Sequence, residues 1–193
     1  MVLVLDTSSA RSALAVLSPE LQPIREAVRE SGRDFDLPGE AAQLIDHREL
    51  TAIAVARGPG SFTGLRVGAA YAVGLALGLQ LPLRPFGSLE LQQARCHEPA
   101  TAVVEAGRGR VYYLAPDGGR GLAEPAELPR DAAAVGWLRP ATAAGLSEAG
   151  VVLHPDSELR AFGAAAAVVI GTAPEIPCDS LSLEYMQSFA RLR

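Results

Sequence analysis

The segment Gly58-Pro59-Gly60-Ser61-Phe62-Thr63-Gly64-Leu65-Arg66-Val67-Gly68 constrains this chain more than any other stretch. It follows a continuous apolar run, Thr51–Ala56, whose composition predicts a buried strand. It leads into a predicted helix from about Thr63 to Leu79, with Ser61 or Thr63 as cap and Pro82 just past the end. A glycine-rich link between a buried strand and a helix N-terminus lets backbone approach a ligand or another stretch of chain closely. The free N–H groups there also favour anions. The spacing matches neither a phosphate loop nor GxGxxG, since Thr63 stands at the third glycine position. A tight connection without a ligand is the plainer alternative.

The helix after the motif is apolar all round, with Arg66 its one charge. Gly64, Gly68, Ala72 and Ala76 recur at a spacing of four, making one smooth stripe. A helix of this kind must be covered on most sides. Each interior glycine costs about 1 kcal/mol against alanine, which close packing has to offset. Burial against its own sheet and contact with a partner chain both satisfy that requirement.

The remainder reads as α/β. Val2–Leu5, Ser12–Leu17 and Pro23–Glu30 predict an antiparallel meander. A short helix follows within Asp34–Leu50, with Ala41, Leu44, Ile45 and Leu50 facing inward. A second helix is expected over Ser88–Cys96. The pattern then restarts: strand Thr101–Glu105, turn, strand Arg110–Ala115 and a loop over Pro116–Pro129. Helices about Ala141–Ala149 and Glu158–Val169 follow, with a strand Val151–Leu153 between them. Both halves open with strand–turn–strand and end in helices. This predicts two pseudo-duplicated lobes, residues 1–97 and 98–193, each with a mixed sheet and helices.

With 193 residues the chain can build a core without disulfides or metal. Its net charge of −5 argues against gripping nucleic acid unaided. All 17 basic residues are arginine, so a phosphate-loop lysine or a Schiff base is excluded. The N-terminus meets Asp6 after a short apolar run and reads as a strand, not a signal peptide. The apolar run Val67–Leu79 is shorter than the roughly 20 residues of a bilayer span. A cytoplasmic protein without membrane contact is expected.

Asp6-Thr7-Ser8 after the first strand reads either as a turn or as a carboxylate and hydroxyls for phosphate or magnesium. Glu105-Ala106-Gly107-Arg108 repeats the strand–acid–turn logic in the second half. Two acids facing one cleft would suggest a nucleotide site. The histidines, His47, His97 and His154, have no metal-ligand spacing, and Ser61 is not in a nucleophile elbow. No catalytic residue, metal or cofactor is therefore assigned.

These features together resemble the TsaB (YeaZ) family of bacterial proteins for threonylcarbamoyladenosine modification of tRNA. The resemblance rests on Asp6-Thr7-Ser8, GPGSFTGLRVG entering a Gly/Ala helix, and the acid–turn–Arg–x–Val-Tyr opening of the second half. It implies an actin-like ASKHA fold of two lobes, related to the catalytic protein TsaD. It further implies a non-catalytic scaffold that pairs with a TsaD-like subunit, joins a TsaE-like ATPase, and forms a homodimer when alone. Contact with tRNA would occur only within that assembly. The implied partner face holds Ser61, Phe62, Gly64 and Leu65, then Gly68, Tyr71, Ala72 and Leu75. Asp6, Thr7, Ser8, Gly58 and Gly60, with Glu105 and Arg108, would form a vestigial nucleotide cleft. The alternative is an ASKHA-type phosphotransferase or ATPase using that cleft, and a peptidase is a third reading that no metal ligands support. The chain departs from the family at its shorter first helix, at Glu105-Ala106-Gly107-Arg108 in place of Asp-Ala-Arg, and at Leu183-Glu184-Tyr185-Met186 near the C-terminus.

Overall fold

The computed structural model describes residues 1–32 and 35–184, so Tyr185 and Met186 lie outside the described residues. Strands β1 (Val2–Asp6), β2 (Arg11–Leu17) and β3 (Pro23–Glu30) form the expected antiparallel meander. Helix α1 (Leu37–Ile45) follows, its N-terminus capped by Asp36, which accepts from the Gly39 N–H at 3.1 Å. Then come β4 (Ala52–Ala56), α2 (Phe62–Leu79), β5 (Leu83–Phe86) and α3 (Ser88–Ala94). The first sheet has the order β3-β2-β1-β4-β5, with β4 parallel to both β1 and β5. Sandwiched at its centre, β1 and β4 are buried along their whole length, which explains their unbroken apolar runs.

The second sheet has the order β8-β7-β6-β9, built from β6 (Thr101–Gly107), β7 (Arg110–Leu114), β8 (Arg120–Ala123) and β9 (Ala134–Val135). Helices α4 (Pro140–Glu148) and α5 (Phe162–Ile170) follow. The α/β class with two mixed sheets is as expected.

Alternation along the strands sorts the first sheet into two faces. Leu3, Leu5, Leu14, Val16, Ile53 and Val55 pack beneath α1 and α2. Val4, Ala13, Ala15, Ala54 and Ala56 meet Phe162, Ala165, Ala166 and Ile170 of α5. A helix from the end of the chain thus returns to cover the sheet made by its beginning. Beyond α5, Ile176 pairs with Leu83 at the β5 edge, and the Glu184 N–H donates to the Arg57 carbonyl at 2.8 Å.

Three short strands escape the sequence pattern. In β5, Pro85 masks the signal, and the proline is tolerated because β5 is the last strand of its sheet. Within the expected Pro116–Pro129 loop lies β8, and β9 has only two residues. The expected strand Val151–Leu153 is a single bridge from Leu153 to Ala134. The last helix begins at Phe162, not Glu158, because Asp156–Glu158 form a 3-10 turn.

Candidate functional site

Strand β1 ends at Asp6, and the backbone that follows lies directly on the start of α2. The Ser61 N–H donates to the Ser8 carbonyl at 2.7 Å, and the Thr7 hydroxyl donates to the Gly64 carbonyl at 2.7 Å. Ser61 caps α2, accepting from the Gly64 N–H at 3.2 Å. A Cβ at Gly60 would fall under 3.0 Å from the Ser8 carbonyl, one at Gly64 from the Thr7 carbonyl, and one at Gly68 from the Thr7 hydroxyl. The glycines of the motif are there because two stretches of backbone touch.

This contact places Ser8, Ser9, Gly60, Ser61 and Phe62 along one side of a cleft of about 270 Å³. The opposite side is Glu105, Ala106, Gly107, Tyr112 and Arg139, with Glu184 also at the rim. Of the residues expected to form a nucleotide cleft, Ser8, Gly60 and Glu105 do line one space. Asp6 and Thr7 lie beneath it, Gly58 packs against Glu184 and Leu65, and Arg108 projects from the exposed β6–β7 turn.

The two acids differ in what holds them. Glu105 is engaged: its Oε1 accepts from the Arg139 N–H at 2.8 Å and the Thr142 hydroxyl at 2.7 Å, and its Oε2 lies 3.4 Å from the Arg139 guanidinium. It thereby ties the end of β6 to the start of α4, through the N–H of Arg139 just before the helix and the Thr142 hydroxyl in its first turn. Sequence reasoning missed Arg139 and Thr142, since only the folded chain brings them to Glu105. Asp6 is fully buried; its Oδ1 accepts from the Ser8 N–H at 2.8 Å. Its Oδ2 and the Ser8 hydroxyl have no hydrogen-bond partner among the described residues.

Burial pushes the Asp6 carboxyl above its usual value of 3.8, against the weaker pull of the hydrogen bond from the Ser8 N–H. In the pH range just above 3.8 the folded chain therefore holds a proton that the unfolded chain has released. The stability carried by Asp6 is complete below that range and declines as pH rises through the folded pKa. Asp6→Asn cannot ionise, so its thermal midpoint should decline less than the parent's above pH 4. Parallel profiles for the two proteins would overturn this account.

The expected partner stripe divides by burial. Leu65, Gly68 and Ala72 are buried against the β1–β4 side, and Gly64 rests on Thr7; these four do not form an outward stripe. Tyr71 and Leu75 are half-buried, packed around the cluster under α1 and α2. The outward side of α2 carries Val67, Ala70, Gly74, Leu77 and Gly78, with Thr63 and Arg66 exposed beside them, and Phe62 at its start is also exposed. At 18 residues and with this composition, α2 is long and apolar enough to cross a membrane, which the Val67–Leu79 run alone was not. Among the described residues no group of three or more His, Cys, Asp or Glu side chains is placed to hold a metal ion.

Residues 41–151 match a family model described as TsaD, tRNA N6-adenosine threonylcarbamoyltransferase. A Haemophilus influenzae protein named tRNA threonylcarbamoyladenosine biosynthesis protein TsaB is 36% identical over 125 residues, 58% of this chain and 52% of that protein. Proteins of the same name from Escherichia coli and Bacillus subtilis are 43% identical over 70 residues and 33% over 94. The first match covers 34% of this chain and 30% of that protein, the second 47% and 41%. The chain thus spans about half or less of the length of the curated relatives it matches. A solved structure, YeaZ from Pseudomonas aeruginosa, superposes with a TM-score of 0.73 over 96% of this chain and 99% of that one. At 20% identity it shows the fold, and the two mixed sheets are those of the actin-like architecture. The family match over residues 41–151, which contains the glycine motif and Glu105 with its partners Arg139 and Thr142, places this chain in the TsaD family, among its TsaB/YeaZ members.

Proposed function

We propose that this chain is a non-catalytic subunit for threonylcarbamoyladenosine modification of tRNA, supporting a TsaD-like catalytic protein. The observation that carries this reading is the outward side of α2. Val67 and Leu77 are 49% and 60% exposed, and a Cβ at Gly74 or Gly78 would meet nothing within 4 Å. Val67, Ala70, Gly74, Leu77 and Gly78 share one helix face by their spacing. Large aliphatic groups flanking a nearly flat glycine floor suit a second helix laid close alongside. The names of the curated relatives supply the pathway, and Glu105, committed to Arg139 and Thr142, supports a structural role for the cleft. A homodimer through the same face, and a TsaE-like ATPase as third component, complete the proposal.

The test is size-exclusion chromatography with light scattering, using this chain mixed with the TsaD-like protein of the same organism. The parent should form a one-to-one complex. Val67→Asp with Leu77→Asp should keep the parent's melting temperature and weaken the complex by roughly 30-fold or more, as for the loss of an interface anchor. Association equal to the parent's would remove α2 from the interface. A second reading, a nucleotide-binding enzyme, draws on the buried Asp6 Oδ2 and Ser8 hydroxyl beneath the cleft. Magnesium-dependent ATP binding by the chain alone, measured by calorimetry, would favour it.

A further inference from the structure

Away from the cleft, Asp156 gathers three elements that are remote in sequence. Its carboxylate accepts from the Arg95 guanidinium at the end of α3, from Arg11 at 2.9 Å at the start of β2, and from the Trp137 indole N–H at 3.3 Å just beyond β9. Arg95 is 3% exposed and lies 4.4 Å over the Trp137 ring. The same guanidinium donates to Gln92 Oε1 at 3.2 Å and to the Arg160 carbonyl at 3.4 Å. A cavity of about 480 Å³ opens beside this cluster, lined in part by Arg11, Arg95, Trp137 and Asp156.

Two of the clasped segments continue into the cleft walls. From Arg11 the chain runs back through Ala10 to Ser9 and Ser8, which line the cleft on the α2 side. From Trp137 it runs on through Leu138 to Arg139, which lines the other side and is fastened to Glu105. The two segments are joined directly where the Ala10 N–H donates to the Trp137 carbonyl at 3.4 Å. One carboxylate therefore holds the segments that continue into both walls. Partial desolvation of the Asp156 carboxylate, which stays 52% exposed, disfavours its charge, but the bonds from Arg95, Arg11 and Trp137 outweigh that and hold its pKa below the usual value.

We propose that Asp156 is a positioning residue that holds the cleft at its width by clasping Arg11 of one wall segment and Trp137 of the other, with Arg95 as the buried counter-charge. Without the carboxylate, Arg95 is left buried beside an indole with its charge uncompensated, and that cost favours separation of the elements. The Ser8–Arg11 and Trp137–Arg139 segments are then free to part, opening the cleft while both sheets stay intact.

Amide hydrogen exchange by NMR on the full chain tests this. In Asp156→Asn, exchange at Ala10 and Arg139 should quicken about ten- to a hundredfold, the scale of a lost charge-assisted hydrogen bond. Amides of the central strands, such as Leu5 and Ile53, should keep the parent's rates. The milder variant Arg11→Gln removes one partner and leaves Arg95 paired, so it remains usable if Asp156→Asn does not fold. It should quicken the same two amides to a smaller degree. Uniform acceleration through the central strands would reduce Asp156 to a general stabiliser, and unchanged exchange at Arg139 would remove its link to the cleft; either result overturns the proposal.

Discussion

Gly64→Ala and Gly74→Ala, the same substitution ten residues apart in one helix, should change stability with opposite signs. A methyl group at Gly64 would lie under 3.0 Å from the Thr7 carbonyl oxygen, where no side-chain rotation can relieve it. The β1–β2 turn has to retreat from α2, breaking the Ser61-to-Ser8 and Thr7-to-Gly64 hydrogen bonds on which that contact depends. Overpacking of this kind costs about 1–3 kcal/mol, which exceeds the ~1 kcal/mol gain in helix propensity, and the broken hydrogen bonds add to it. A fall in melting temperature of roughly 4–8 °C follows for a chain of this size. At Gly74 nothing lies within 4 Å of the new methyl, so the propensity gain of about 0.5–1 kcal/mol should appear as added stability. Gly68→Leu belongs with Gly64, because its side chain would strike the Thr7 hydroxyl. It should therefore weaken the fold itself, where a stripe facing outward would have predicted a loss of association only. Equal midpoints for Gly64→Ala and Gly74→Ala, read by differential scanning calorimetry, would refute the close-contact account.

Phe162→Ala should be the most damaging single change, costing about 3–5 kcal/mol and lowering the melting temperature by roughly 6–20 °C. Phe162 is 1% exposed, at the start of α5, where it packs with Ala13, Ala15 and Trp137. Its ring centroid lies 6.0 Å from that of Trp137. Small alanines on β2 cannot expand into the space left behind, so a cavity remains. Trp137 is the one tryptophan in the chain and is 4% exposed, so its fluorescence should report the loosening directly by a shift to longer wavelength. A cost below about 1 kcal/mol would mean that α5 is not what closes this face of the first sheet.

The central elements were legible because local pattern and tertiary environment agree there. β1 and β4 are unbroken apolar runs because both of their sheet faces are covered, and α2 announces itself through Ser61 and the alanine–glycine content. The short strands were not legible for an equally physical reason. β8 and β9 are too brief to show a period, and β5 contains a proline that only an edge position accommodates.

At the site, residue types were readable and their employment was not. GPGSFTGLRVG marked a place where backbone comes close to something, and the structure shows that its first neighbour is the Thr7–Ser8 backbone. Glu105 stood out as an acid after a strand, while its partners Arg139 and Thr142 come from a segment that only folding brings near.

The sequence by itself determined the family, the α/β class and the chain's central strands and glycine-rich helix. These are properties of local spacing and of motifs contiguous in the chain. Which side of α2 turns outward, the return of α5 to the first sheet, and the meeting of Arg11, Arg95 and Trp137 on Asp156 were decided by tertiary structure alone. A helix apolar on every side carries no moment to orient it, and ion pairs between distant residues leave no periodic trace, so both wait on the packing of the whole chain.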